Sequence, residues 1–181
     1  MDKRRIRTFI AYVEDRPGVL NRVASLFRRR GFNIDSLTVG RTHIPGISRM
    51  TVMIDADPDT ARRIEANLYK IVNVLWVEDI TEVEMVMRDL VLIKVRATME
   101  QRPHILQLCE VFRAKVVDIG SDALIIESTG TQDKLDSLLE VLQPFEVLEM
   151  VRSGAIAMTR GARFTPIFDR TNLRPGEEAV A

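Results

Sequence analysis

The residues whose types and spacing could hold a ligand lie between positions 13 and 38. Asp15-Arg16-Pro17-Gly18-Val19-Leu20 reads as a tight turn from a strand into a helix. A helix N-terminus leaves backbone N–H groups without intrahelical partners, and these suit a small anion such as a carboxylate. Gly18 has no Cβ to hinder a ligand approaching the backbone. Asn33 starts the next expected strand, which is expected to lie beside the first. Its amide donates and accepts at once, which fits the ammonium and carboxylate of an amino acid. Pro17, Val19, Leu20 and Ile34 are the neighbours of such a site. The bland alternative is a strand-to-helix turn that binds nothing, since most helix N-termini are empty. The pairing of the turn with Asn33 favours an amino-acid effector site with no chemistry of its own.

Other candidates are weaker. His43 and His104, the two histidines, lie in different expected domains without Cys or His at metal-ligand spacing, and read as surface residues. Cys109, the single cysteine, falls on the inward stripe of a helix and reads as an inert buried thiol. It excludes an intrachain disulfide. No Ser-His-Asp order, phosphate loop or Gly-x-Gly-x-x-Gly is present. Net charge is zero and aromatic residues make up 6% of the chain, against a nucleic-acid binder that stacks bases on strand aromatics. The triplet Arg28-Arg29-Arg30 reads as a solvated helix end, where cations suit the dipole. No apolar run approaches the roughly 20 residues needed to span a bilayer, so a cytoplasmic protein is expected.

The elements that must position these residues follow from periodicity. Residues 5–13 alternate as a strand with one face more buried than the other. Asp15 is expected to cap the following helix, with Pro17 in its first turn. Val19, Leu20, Val23, Leu26 and Phe27 form the apolar stripe of that helix, and Gly31 stands at its left-handed end. Residues 32–41 and 47–55 read as strands around the His43-Ile44-Pro45-Gly46 turn. Asp57-Pro58 opens a second helix with Ala61, Ile64, Leu68 and Ile71 inward, and residues 72–80 form another strand. The order is β-α-β-β-α-β, that of a ferredoxin-like unit, with both helices on one face of an antiparallel sheet.

The pattern then repeats at an offset of roughly 84 residues. Strands are expected at 89–97, 115–119, 123–129 and 145–151, with an edge strand within 153–158. Helices are expected at 102–113, with Ile105, Leu108, Cys109 and Phe112 inward, and from Thr131, carrying Leu135, Leu138, Leu139 and Leu142. The fold class is therefore α+β, two tandem ferredoxin-like β-α-β-β-α-β domains. The expected division is 4–82, a linker at 83–88, a second domain at 89–160, and a mobile tail at 161–181 in which Phe164, Ile167 and Phe168 are apolar enough to dock.

At these residues the sequence resembles the ACT domain, a ferredoxin-like ligand-binding module whose typical turn is matched by Asp15-x-Pro17-Gly18-Val19-Leu20. A longer and more specific match runs through Arg30-Gly31-Phe32-Asn33-Ile34-Asp35-Ser36-Leu37-Thr38-Val39 and Ser48-Arg49-Met50-Thr51. It continues in Arg152-Ser153-Gly154-Ala155-Ile156-Ala157-Met158-Thr159-Arg160-Gly161. These segments resemble the small regulatory subunits of acetohydroxyacid synthase (acetolactate synthase), and the resemblance covers about residues 4–161.

The resemblance implies a regulatory subunit with no catalytic residues or cofactor of its own. It implies a catalytic large subunit as partner, which carries thiamine diphosphate, magnesium and FAD. It implies branched-chain amino acid biosynthesis, activation of that partner, and feedback inhibition by an effector, usually valine, at the interface of a homodimer formed through ACT domains. The effector-contacting positions it carries over are Asp15, Gly18 and Asn33, with Pro17, Val19, Leu20 and Ile34 beside them. No nucleic-acid or membrane partner is implied. Many bacterial members have Asn where this chain has Asp15, and the tail at 162–181 is longer than in short members. The rival from another class is a stand-alone amino-acid-sensing ACT regulator without an enzyme partner, which copurification with a large thiamine enzyme would separate from the first.

Overall fold

A computed structural model describes residues 4–161. Two compact units divide them: residues 4–86 with 157–161, and Met87–Ile156. In the first unit the chain forms β1 (Arg5–Glu14), α1 (Val19–Arg30), β2 (Ser36–Arg41), β3 (Ile47–Ala56), α2 (Pro58–Leu68) and β4 (Val74–Asp79). The four strands pair antiparallel in the order β2-β3-β1-β4. This is the expected β-α-β-β-α-β unit.

Alternation along β1 sends Phe9, Ala11 and Val13 into one core with Val19, Val23, Leu26 and Phe27 of α1 and Ala61, Ile64 and Leu68 of α2. Both helices therefore cover the same sheet face, each fully buried aliphatic side chain contributing about 1.5–3 kcal/mol. The opposite face, expected to be the less buried of the two, is also closed. Thr8, Ile10, Tyr12 and Thr51 are buried as well. There the Arg49 guanidinium lies 5.8 Å from the Tyr12 ring centroid and donates to the Ala157 carbonyl. A strand in the middle of a sheet has neighbours on both edges, and here both of its faces are buried too.

Helix ends behave largely as read. Gly31 is left-handed at φ 68°, and the Phe32 N–H reaches back to the Phe27 carbonyl at 3.1 Å, closing α1. Asp57 caps α2 through the Thr60 N–H at 2.8 Å, with Pro58 as the first helical residue. Leu20 departs from the expected stripe and is 46% exposed.

The second unit repeats the plan, with residues 85–86 of its first strand and 157–159 of its last counted in the first unit. β5 (Met85–Arg96), α3 (Arg102–Phe112), β6 (Lys115–Ile119), β7 (Ala123–Gly130), α4 (Gln132–Leu142), a 3-10 turn (Gln143–Phe145), β8 (Val147–Arg152) and β9 (Ile156–Thr159) follow in order. The sheet runs β6-β7-β5-β8, with β9 also paired to β5. Val91, Ile93, Val95, Leu124 and Ile126 pack on Ile105, Cys109, Leu135, Leu138 and Leu142. Residues 83–88, expected as a linker, already contain strand from Met85, because β9 supplies backbone partners for β5 and the Arg160 N–H donates to the Glu84 carbonyl at 2.9 Å. Phe164, Ile167 and Phe168 lie outside the described residues.

Candidate functional site

β1 ends at Glu14 and α1 begins at Val19, so residues 15–18 make the whole turn. Asp15 does not cap the helix. Its carboxylate pairs with Arg41 Nε at 2.9 Å, and its N–H donates to the Gly46 carbonyl at 2.7 Å. Both contacts tie the turn to the β2–β3 hairpin. The N-cap is Gly18, at φ 83° and ψ −7°, with no side-chain hydrogen bond to the first turn. Pro17 precedes the cap and is not in the first turn as expected. The reason is chain length: with Asp15 held by the hairpin, three residues, Arg16, Pro17 and Gly18, remain before the helix, and the left-handed Gly18 redirects the chain into it.

No acidic residue lies in the first turn of α1. Its N-terminal N–H groups therefore have neither a side-chain cap nor a nearby carboxylate from within the turn. A Cβ built on Gly18 would meet nothing within 4 Å, so the turn faces open space. Val19 is buried in the core, whereas Asp15, Pro17, Gly18 and Leu20 are exposed. The arrangement is suited to hold a carboxylate by backbone N–H groups, with Leu20 as an apolar neighbour.

Asn33 and Ile34 are placed differently from the sequence expectation. Residues 32–35 are not strand, and β2 starts at Ser36. β2 is an edge strand beside β3, not beside β1, because β3 occupies the central position between them. Ile34 is half-buried against the helix core, and Asn33 is exposed. Asn33 follows the C-terminal end of α1 while Gly18 stands at its N-terminal end. A helix of 12 residues puts its ends about 18 Å apart. One chain thus separates the two halves of the expected site by the length of a helix.

Sequence reasoning missed the residues behind the turn. Asn73, 8% exposed, precedes β4; its Nδ2 donates to Glu14 Oε2 at 2.6 Å and its Oδ1 accepts from Arg22 Nη1 at 2.5 Å. Its carbonyl accepts the Glu14 N–H at 2.9 Å. Only its polarity inside the apolar run Ile71-Val72-Asn73-Val74-Leu75 could have drawn attention to it.

The remaining candidates stay apart from this turn. His43 and His104 are exposed, on the β2–β3 hairpin and on α3 respectively. Among the described residues no three His, Cys, Asp or Glu side chains come together in a way that could hold a metal ion. Cys109 is buried in the core of the second unit, and desolvation pushes its thiol pKa up, which disfavours the nucleophilic thiolate.

Comparison with known proteins gives the family of both units. Residues 9–76 match the family described as AHAS small subunit-like ACT domain, and residues 88–161 match the family described as small subunit of acetolactate synthase. The acetolactate synthase small subunit of Mycolicibacterium smegmatis is 46% identical over 156 residues, covering 86% of this chain and 92% of that protein. A probable acetolactate synthase small subunit of Archaeoglobus fulgidus is 44% identical over 154 residues, covering 85% and 96%. The crystal structure of the small subunit from Thermotoga maritima superposes with a TM-score of 0.81 at 40% identity, over 87% of this chain and 98% of that one.

Proposed function

The chain belongs to the acetolactate synthase small-subunit family, and from that premise we propose that it regulates a catalytic large subunit by binding a branched-chain amino acid, valine first among them. The partner carries thiamine diphosphate, magnesium and FAD, and the complex works in the cytoplasm in valine, leucine and isoleucine biosynthesis. This chain activates the large subunit and confers feedback inhibition on it, supplying no catalytic group.

The effector site forms between two copies of the chain paired through their first units. The observation that carries this reading is the separation of Gly18 from Asn33 by the length of α1. An effector the size of valine cannot span about 18 Å, so both residues can contact one ligand only if they come from different chains. Backbone N–H groups at the Gly18 turn hold the carboxylate, Asn33 of the second copy binds the ammonium, and Leu20 and Ile34 offer apolar surface to the isopropyl group. Pro17 and Val19 fix the turn, and Asp15 stays paired with Arg41. Inhibition then requires that valine bind the inhibited assembly more tightly than the active one, since equal affinity shifts nothing.

Thermal unfolding of the purified full chain with each of the twenty amino acids tests this. Ligand at 100 times its dissociation constant adds about 2.7 kcal/mol, worth roughly 5–10 °C at this chain length. A shift with valine or another branched amino acid, and none with serine or phenylalanine, is expected. If neither the chain alone nor its complex with the large subunit responds to any branched amino acid, the reading fails.

A further inference from the structure

The turn that the proposed effector contacts is held from behind by one buried side-chain amide. Glu14 is the last residue of β1, immediately before the turn, and Arg22 lies just after it in α1. Asn73 bonds to both, donating to the carboxylate at 2.6 Å and accepting from the guanidinium at 2.5 Å. Its main-chain carbonyl takes the Glu14 N–H as well. An amide can serve an anion and a cation at once without carrying charge, whereas a carboxylate or an ammonium can serve only one of them. Both side-chain bonds are charge-assisted, the stronger class of hydrogen bond. Arg16 Nε adds an ion pair to Glu14 at 3.3 Å, in solvent, so Asn73 is the buried member of the cluster.

We propose that Asn73 is a positioning residue for the effector turn. By fixing Glu14 and Arg22 to one point it sets the angle between the end of β1 and the first turn of α1. That angle decides where the free N–H groups of the helix aim. Asn73 makes no contact with the effector and acts only through Glu14 and Arg22. The inference rests on the effector reading above, and its test is arranged so that the two can fail separately.

Asn73→Asp puts a second carboxylate against that of Glu14 while preserving the bond to Arg22, so repulsion opens one end of the turn. Adding Glu14→Gln turns that contact back into an amide-to-carboxylate bond, with the donor now on the β1 side. Isothermal titration of the full chain at 25 °C, with the branched amino acid that gives the largest thermal shift, compares wild type, Asn73→Asp, the double variant and Gly18→Asp. Asn73→Asp is expected to weaken binding by about tenfold or more, and the double variant to return to within about threefold of wild type. A purely structural asparagine would lower the unfolding temperature and leave the affinity of the folded chain unchanged.

Wild-type binding lost in Gly18→Asp but unaltered in Asn73→Asp overturns the role of Asn73 alone. Unaltered binding in Gly18→Asp overturns the turn as the effector site, and absence of binding by wild type both alone and in complex with the large subunit overturns the effector reading; either result takes this inference with it, and where only the complex binds, the same variants are compared in that complex. Should Asn73→Asp fail to fold, Arg22→Gln removes the other arm of the clamp. The same weakening is expected of it, and wild-type affinity in that variant overturns the proposal.

Discussion

Arg41 Nε stands 2.9 Å from a carboxylate oxygen of Asp15, and through this pair the last residue of β2 holds the turn between β1 and α1. The Asp15 charge is therefore spent on the hairpin and leaves the helix end uncapped. Arg41 is largely exposed in the pair, so it contributes under about 1 kcal/mol to stability. Asp15→Asn is expected to change the unfolding temperature little and to retain the amino-acid response, because the backbone of the turn makes the contact. Loss of the response in an inhibition titration would show that the carboxylate itself binds the effector.

The separation of Gly18 from Asn33 along α1 gives a complementation test. Gly18→Asp and Asn33→Ala, each as the sole chain, are expected to abolish the effector response. Unfolded and refolded together, the two variants form mixed dimers in which one of two symmetric sites has both residues intact. Random mixing restores about one quarter of all sites, measurable as binding stoichiometry. If the site were contained within one chain, the mixture would recover nothing.

Asp57 makes the stability of the first unit acid-sensitive. The backbone N–H of Thr60, and then its hydroxyl, hydrogen-bond the Asp57 carboxylate and hold its pKa below the ordinary 3.8. A carboxyl depressed on folding stabilises the fold above its unfolded value and loses that contribution as pH falls through the folded one. Asp57→Asn keeps a cap but removes the titration. The wild type is expected to lose more thermal stability than this variant as pH is lowered below 3.8. Parallel curves for the two proteins would refute the assignment.

Cys109 shows the opposite sign. Desolvation raises its thiol above the ordinary 9.0, so its contribution is complete below that value and is lost as pH rises through the raised one. The native chain is expected to resist iodoacetamide at pH about 8, where an exposed thiol is partly ionised, and to react readily once unfolded in urea. Equal labelling rates in the two states would contradict its burial.

The sequence by itself determined the two β-α-β-β-α-β units, because helical and strand periodicities are local and each recurs twice. It determined the end of α1 at Gly31 and the start of α2 at Asp57-Pro58, since both are properties of a few consecutive residues. It also marked out the Gly18 turn. Three things needed the tertiary structure. Asp15 looked like a cap until Arg41, 26 positions later, proved to be its partner. Asn33 looked adjacent to the turn until strand order put β3 between β2 and β1. Asn73 had no visible role until Glu14 and Arg22 met on it, 59 and 51 positions away. In each case periodicity says which face of an element is buried, but the identity of the neighbour is set by long-range pairing that no local window contains.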